Sequence, residues 1–305
     1  MNQKQPREPG QSPDAGWPFE EFQESELEQS VPHRFEQQVA RYPDRPAAQG
    51  ERYRFTYQQL NATANRIGRA ILERRGPGEE PVCILLENDA LAVAAMLGIL
   101  KAGKIYVVLD PAVPRDRLAY FALDSAAELI VTNHAHEALA RHIIPQDRAP
   151  LNVDGLDPTL SDSNLELSIS PDALAYIYYT SGSSGVPKGV YNSHRNLLHR
   201  VLRNTNFFET TAGDRLSCVR SLSFSGSIKD VWGAVLKGAS VHLFDLRTHG
   251  FARMARWLAE QEITIYVSVG TSYRQLAAAV EADQPPSSLR MVHIGGCLLS
   301  TSDAA

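Results

Sequence analysis

The stretch Tyr178-Tyr179-Thr180-Ser181-Gly182-Ser183-Ser184-Gly185-Val186-Pro187-Lys188-Gly189 carries the densest chemistry in the chain. It follows an apolar run at 173–179 and precedes Val190-Tyr191, so it reads as a loop between two strands. Gly182, Gly185 and Gly189 open backbone angles closed to other residues and let the chain approach a ligand closely. Thr180, Ser181, Ser183 and Ser184 supply hydroxyl donors, and successive N–H groups in such a turn make an anion-binding concavity. Lys188 adds a mobile positive charge, and Pro187 stiffens the exit. The collection suits a polyphosphate. The spacing is neither that of a Walker loop nor that of a dinucleotide fingerprint. A flexible Gly/Ser linker is the alternative, and the flanking apolar strands argue against it.

Outward from this loop, strands and helices alternate. Upstream, 82–86, 105–109 and 129–131 read as buried strands. Between the first two, residues 90–101 read as a helix apolar on nearly every face, with Gly103 past its end. Asp110-Pro111 stops the second strand, and a short helix through Leu118 and Phe121 follows. An earlier helix has a capping box, Thr56 with Gln59, then Leu60, Ala64, Ile67 and Ile71 at helical spacing, and it stops at Gly76-Pro77-Gly78. Phe35 and Val39, four apart, fit another short helix. Residues 144–171 are polar and read as a surface connection. Downstream, strands are expected at 190–191, 241–244, 264–269 and 291–294. Helices are expected from Ser193 and over 228–236, 251–261 and 272–282. Strands apolar throughout and separated by helices imply an α/β fold, with stacked layers of mostly parallel sheet covered by helices. No repeat of fixed period is present.

Composition narrows the function. The 305 residues suggest about two domains or one large one, at roughly 150 residues each. Hydrophobic residues make up 43% and charged residues 21%, enough for a sizeable core. A net charge of -5 without a basic cluster argues against nucleic acid as partner. Cys83, Cys218 and Cys297 lack the paired spacing of a zinc site or disulfide framework, so buried thiols in a reducing compartment are expected. No apolar run approaches the roughly 20 residues of a membrane span, and the first 30 residues have no signal-peptide core, so a cytoplasmic protein is expected. Residues 1–30, rich in Gln, Glu, Pro and Asp, are expected to be a disordered tail, with order beginning near Val31.

The loop, with His194 and Asn196-Leu197 downstream, resembles the signature of the adenylate-forming superfamily. That superfamily comprises acyl-CoA synthetases, luciferases and nonribosomal peptide synthetase adenylation domains. Ser184 stands where Thr is usual and keeps the hydroxyl. Phe55-Thr56-Tyr57-Gln58-Gln59-Leu60-Asn61 resembles an early family motif. The stretch 100–111, Leu-Lys-Ala-Gly-Lys-Ile-Tyr-Val-Val-Leu-Asp-Pro, with Pro114 and Arg117-Leu118, is nearest the nonribosomal-peptide branch. The resemblance covers about residues 31–300. It implies ATP-dependent activation of a carboxylic acid as acyl adenylate, with transfer to a carrier-protein pantetheine or coenzyme A. ATP with Mg2+ is the implied cofactor, and Thr180, Ser181, Gly182, Ser183, Ser184, Gly185 and Lys188 are the implied phosphate contacts.

The resemblance also places an acyl site. Phe224-Ser225-Gly226-Ser227 stands where the family has Phe-Asp-x-Ser, whose Asp binds the α-ammonium of amino-acid substrates. A carboxylate is the natural partner of a desolvated ammonium. Ser225 is neutral, which points to an acid without a free α-amine. Phe224, Ser225, Gly226, Lys229, Thr271, His293 and Gly295 are the implied acyl-site residues. From the residues alone, Lys229 fits a solvent-facing position equally well. His293 also fits a hydrogen-bonded structural role, and Gly295-Gly296 a plain tight turn.

Family members continue well past the position of Ala305. The resemblance implies that the acid that binds magnesium, the Asp that holds the ribose and the mobile C-terminal domain with its catalytic Lys lie outside this sequence. No catalytic residue is therefore assigned, and residues 31–305 are expected to form part of an AMP-binding N-terminal domain. Losing even one fixed donor to a developing charge costs about 100- to 1,000-fold. Little adenylation by this chain alone is expected, with a second chain as the implied partner for the missing domain. A non-catalytic nucleotide-binding remnant, an acyl-CoA synthetase-type ligase and an unrelated phosphate-binding protein are the other readings.

Overall fold

The computed structural model describes residues 16–144, 148–180, 186–280 and 286–295. In chain order, the elements begin with α1 (Val31–Arg41), β1 (Pro46–Gln49), β2 (Arg54–Thr56), α2 (Tyr57–Arg75), β3 (Pro81–Leu85), α3 (Ala90–Lys101) and β4 (Ile105–Leu109). Next come α4 (Arg115–Asp124), β5 (Leu129–Thr132), α5 (Glu137–Ile143), β6 (Leu151–Asn152), β7 (Leu174–Thr180), β8 (Lys188–Ser193) and α6 (His194–Phe208). The last group is β9 (Arg215–Cys218), α7 (Ser227–Val235), β10 (Ser240–Leu243), α8 (Leu246–Glu260), β11 (Ile265–Ser268), α9 (Gly270–Ala279) and β12 (Met291–Ile294).

They form two six-stranded sheets, in the orders β12-β11-β9-β10-β1-β2 and β6-β5-β3-β4-β7-β8. Pairing is parallel except for β1 with β2 and β7 with β8. One core holds residues of both sheets together with the apolar faces of α2, α3, α6 and α7. Every residue of α3 is buried, as its all-round apolar sequence predicts. Helices α2 and α3 touch at Gly98, where a Cβ would fall 2.7 Å from the Ala64 carbonyl and 2.9 Å from Ile67 Cβ. Trp232 of α7 donates its Nε1–H to the Tyr106 hydroxyl of β4 at 3.1 Å, joining the layers through fully buried aromatics.

Two lysines enter this core paired with glutamates. Lys104, 1% exposed, meets Glu80 Oε1 at 2.9 Å. Lys101 is bound by Glu36 and lies 3.3 Å from Asn164 Oδ1. The α2 start is the expected capping box: Gln59 N–H donates to Thr56 Oγ1 at 3.2 Å, and Thr56 N–H donates to Gln59 Oε1 at 3.0 Å. His194, part of the downstream motif, is structural. Its Nδ1 accepts from Val31 N–H at 3.2 Å, and burial pulls its pKa down to about 4.

Several expectations change. Residues 16–30 are packed, not disordered. Phe22 is 1% exposed, its backbone exchanges hydrogen bonds with the Asn206 side chain at 2.9 and 2.8 Å, and Arg45 lies over the Trp17 ring at 4.2 Å. Phe22 is the buried anchor of this segment, while Trp17 and Phe19 stay more than a third exposed. Residues 1–15 lie outside the described residues. The polar connection of 144–171 contains β6 and a 3-10 turn at Val153–Gly155. Strands β1, β2 and β9 and helix α5 were not anticipated. Cys83 and Cys218 are buried, and burial raises both thiols. Cys297 lies outside the described residues.

Candidate active site

The glycine-hydroxyl stretch joins two paired strands. β7 and β8 run antiparallel, with Tyr179 opposite Gly189 and Thr180 opposite Lys188. Ser181, Gly182, Ser183, Ser184 and Gly185 lie outside the described residues. The stem they spring from is firmly held. Tyr179 stacks on Phe121 with centroids 4.2 Å apart and donates its hydroxyl to Asp124 Oδ2 at 2.8 Å. Tyr120 donates to the Pro187 carbonyl at 3.2 Å. Thr180 Oγ1 lies 3.4 Å from the Lys188 carbonyl, and Lys188 is exposed at the mouth of the hairpin. The exposed Lys188 places a positive charge at this end of the hairpin.

The same strand reaches the second part of the site. Tyr178 donates its hydroxyl to the Leu222 carbonyl at 3.1 Å and approaches Ser227 Oγ at 3.5 Å. The β7–β8 hairpin and the turn into α7 are thus tied together. Residues Arg220, Thr271 and Gly295 lie just beyond the carboxyl ends of β9, β11 and β12, which are parallel neighbours. In open α/β sheets that edge is where ligands bind.

In the turn, Phe224 is exposed, Ser225 half-buried and Gly226 buried. A Cβ at Gly226 would lie 2.5 Å from Arg220 Nη1, so the guanidinium sits directly over the glycine. Arg220 is held by the Val267 carbonyl, 2.8 Å from its Nη2, and its Nε lies 3.3 Å from Asp230 Oδ2. Asp230 is fully buried, yet neither carboxylate oxygen accepts a hydrogen bond, so the Arg220 contact is an ion pair only. Burial pushes the Asp230 carboxyl up to about 7 against the opposing pull of Arg220 and Lys229.

Lys229 is half-buried, so it does not simply point to solvent. Among the described residues it makes no hydrogen bond or ion pair. Burial lowers its ammonium, Asp230 opposes that shift, and the charges of Arg220 and Arg200 reinforce it. His293, paired in register with Val267, is half-buried with its ring 5.2 Å from that of Phe208. Burial first, then the Lys229 and Arg220 charges, lower its pKa. Gly295 N–H donates to the Ser268 carbonyl at 3.0 Å, which continues the sheet as a turn would. Gly296 lies outside the described residues. Thr271 is exposed in the first turn of α9, and no hydrogen bond joins it to this group.

The structure therefore puts Ser225, Gly226 and Lys229 together at the start of α7 beside Arg220, while His293 lies against Phe208 and Thr271 is exposed on α9. Sequence reasoning missed Arg220 and Asp230. Asp230 did leave a signal, a lone carboxylate among Ile228, Val231 and Trp232 on a short apolar helix. A cleft of about 820 Å³ between Trp17, Asp214 and Arg290 lies away from this chemistry, and the 2.6 Å Arg290–Asp214 ion pair there is structural. Among the described residues no three His, Cys, Asp or Glu side chains gather where a metal ion could be held. No described helix is long and apolar enough to cross a membrane.

A family model described as AMP-binding enzyme matches residues 35–304. The chain belongs to that family. This AMP-binding chain is 36% identical over 245 residues to surfactin synthase subunit 2 of Bacillus subtilis, covering 80% of this chain and 7% of that protein. It is 34% identical over 238 residues to tyrocidine synthase 1 of Brevibacillus parabrevis, covering 77% of this chain and 22% of that protein. Among solved structures it resembles the nonribosomal peptide synthetase FmoA3 bound to α-methyl-L-serine-AMP, at 29% identity and a TM-score of 0.82, covering 90% of this chain and 31% of that one. The AMPPNP-bound form of the same synthetase gives a TM-score of 0.81 at 30% identity over 90% of this chain and 29% of that one. The AMP-binding chain thus spans less than a quarter of these two curated relatives.

Proposed function

We propose that this chain forms part of an adenylation unit that activates a carboxylic acid with ATP, in nonribosomal peptide or related synthesis. The observation that carries the reading is the Tyr178 link. One strand both launches the phosphate hairpin and holds the turn into α7, so nucleotide and acid would meet at the same sheet edge. Membership of the AMP-binding family and the similarity to synthetases with bound acyl-AMP and ATP analogue support it.

In this reading a carboxylate oxygen of the acid attacks the α-phosphorus of ATP. The new P–O bond forms as the bond to the leaving pyrophosphate breaks. Thr180, Ser181, Gly182, Ser183, Ser184, Gly185 and Lys188 hold the departing phosphates. Phe224, Ser225, Gly226, Lys229, Thr271, His293 and Gly295 border the acid. Such transfers depend on positioning and on fixed positive charge more than on covalent help. ATP would enter as its Mg2+ complex. The described residues offer no gathered acids for that ion, so no step is assigned to the chain through it. Ser225, a neutral group where amino-acid-activating relatives of this fold carry an ammonium partner, favours an acid without a free α-amine. The acceptor would be the pantetheine thiol of a carrier protein, with coenzyme A as the alternative, and a further domain or chain would complete the unit.

Calorimetric titration with a non-hydrolysable ATP analogue tests the nucleotide half of this reading. The chain should bind it, and Lys188→Ala should weaken binding about tenfold, the scale of one charge-assisted contact. No binding, or binding indifferent to Lys188→Ala, would contradict it. An ATP–pyrophosphate exchange panel then tests the acid: acids without an α-amine should outperform the matching α-amino acids.

A further inference from the structure

The charge balance at the α7 turn goes beyond the adenylation reading on which it rests. Gly226 is the N-cap of α7 and Lys229 the third residue of that helix, so both belong to its start. Arg220 Nη1 covers the same glycine. Two cations, Arg220 and Lys229, therefore flank this turn, and among the described residues the carboxylate in contact with Arg220 is Asp230. Asp230 is turned into the protein, fully buried and taken up by Arg220. It is not placed to receive a substrate ammonium, and Ser225 supplies no replacement. His293 adds no negative charge.

The rest of the molecule shows how this chain treats lysines that are only structural. Lys104 has Glu80, Lys101 has Glu36, and the buried Lys237 has the Glu20 carbonyl. Lys229, withdrawn from water to a lesser degree, has no partner among the described residues. A half-buried ammonium with neither hydrogen bond nor ion pair is costly unless a partner arrives. A second cation, such as an α-ammonium, would be repelled here.

We propose that the acyl site accepts an acid bearing a second anionic group, a dicarboxylic acid in its simplest form, whose distal carboxylate pairs with Lys229 in front of Arg220. One carboxylate goes to the phosphate and the other to α7. The recognition is charge-assisted hydrogen bonding by an ammonium that has no competing internal partner.

The test is equilibrium binding to the full chain, saturated with a non-hydrolysable ATP analogue, of succinate, glutarate and adipate against butyrate, pentanoate and hexanoate. At one chain length the dicarboxylate should bind at least about tenfold tighter than its monocarboxylate. Lys229→Met should reduce that preference to about threefold or less, and Lys229→Arg should retain most of it. The wild-type series needs no variant to fold, so the comparison stands by itself. Equal binding of the two series overturns the proposal. So does a Lys229→Met variant that weakens both series alike, or that weakens the ATP analogue instead. If the analogue binds while no dicarboxylate preference appears, this inference fails and the adenylation reading survives. If neither nucleotide nor acid binds, both fail.

Discussion

Lys104, beside β4, and Lys229, on α7, are both withdrawn from water, and their surroundings treat them in opposite ways. Around α3 and β4 every aromatic and aliphatic side chain is packed, and the two buried lysines end on glutamates. Around the α7 turn, a lysine has no partner, an arginine is split between a carbonyl and an ion pair, and a buried carboxylate accepts no hydrogen bond. The first region is satisfied within itself. The second holds surplus positive charge at the carboxyl edge of a parallel sheet. Buried charge that is matched is part of the scaffold, and buried charge that is unmatched needs a ligand to complete it.

The contrast can be broken most sharply on the scaffold side. Glu80→Ala strands Lys104 in the core, and removing one partner of a buried pair should cost about 3 kcal/mol in urea unfolding, the lower end because Glu80 keeps some solvent. A loss near zero would show that the pair is not structural. Gly98→Ala should cost about 2 kcal/mol by the same measurement, since its Cβ meets backbone that cannot give way. A neutral result would mean that the α2–α3 contact is looser than described.

The α7 side predicts a pH signature. Asp230 has a folded pKa raised above its unfolded value. The folded chain therefore holds that proton more tightly, and its stability contribution is lost as pH rises from about 4 through about 7. Relative to Asp230→Asn, wild type should lose at least about 1 kcal/mol over that range, the equivalent of one pKa unit. The two should converge near pH 4. Parallel pH profiles would mean that Asp230 is fully compensated in the native state.

Much of the scaffold was legible because it is locally consistent. Helix α3 and strand β4 match their expected limits, since an all-apolar helix and an all-apolar strand separated by Gly103 admit few other readings. Short strands were harder. In β9, Arg215-Leu216-Ser217-Cys218 has too few apolar residues to stand out, and its place in the sheet is set by β10 and β11, distant in sequence. In the segment from Gly16 to Ser30, composition averaged over thirty residues hides the single buried anchor, Phe22. At the site, the family resemblance pointed to Ser225 and Lys229. Arg220 could not be placed, because nothing local says that its guanidinium turns back over Gly226.

Urea unfolding of ligand-free Lys229→Met, run beside wild type and Glu80→Ala, tests most directly whether the unmatched charge at α7 is kept for a ligand. A residue without a structural partner should be removable at little cost, so the variant should match wild type to within about 0.5 kcal/mol or exceed it. A loss of about 3 kcal/mol, comparable to that of Glu80→Ala, would show that Lys229 belongs to the scaffold and would contradict the account.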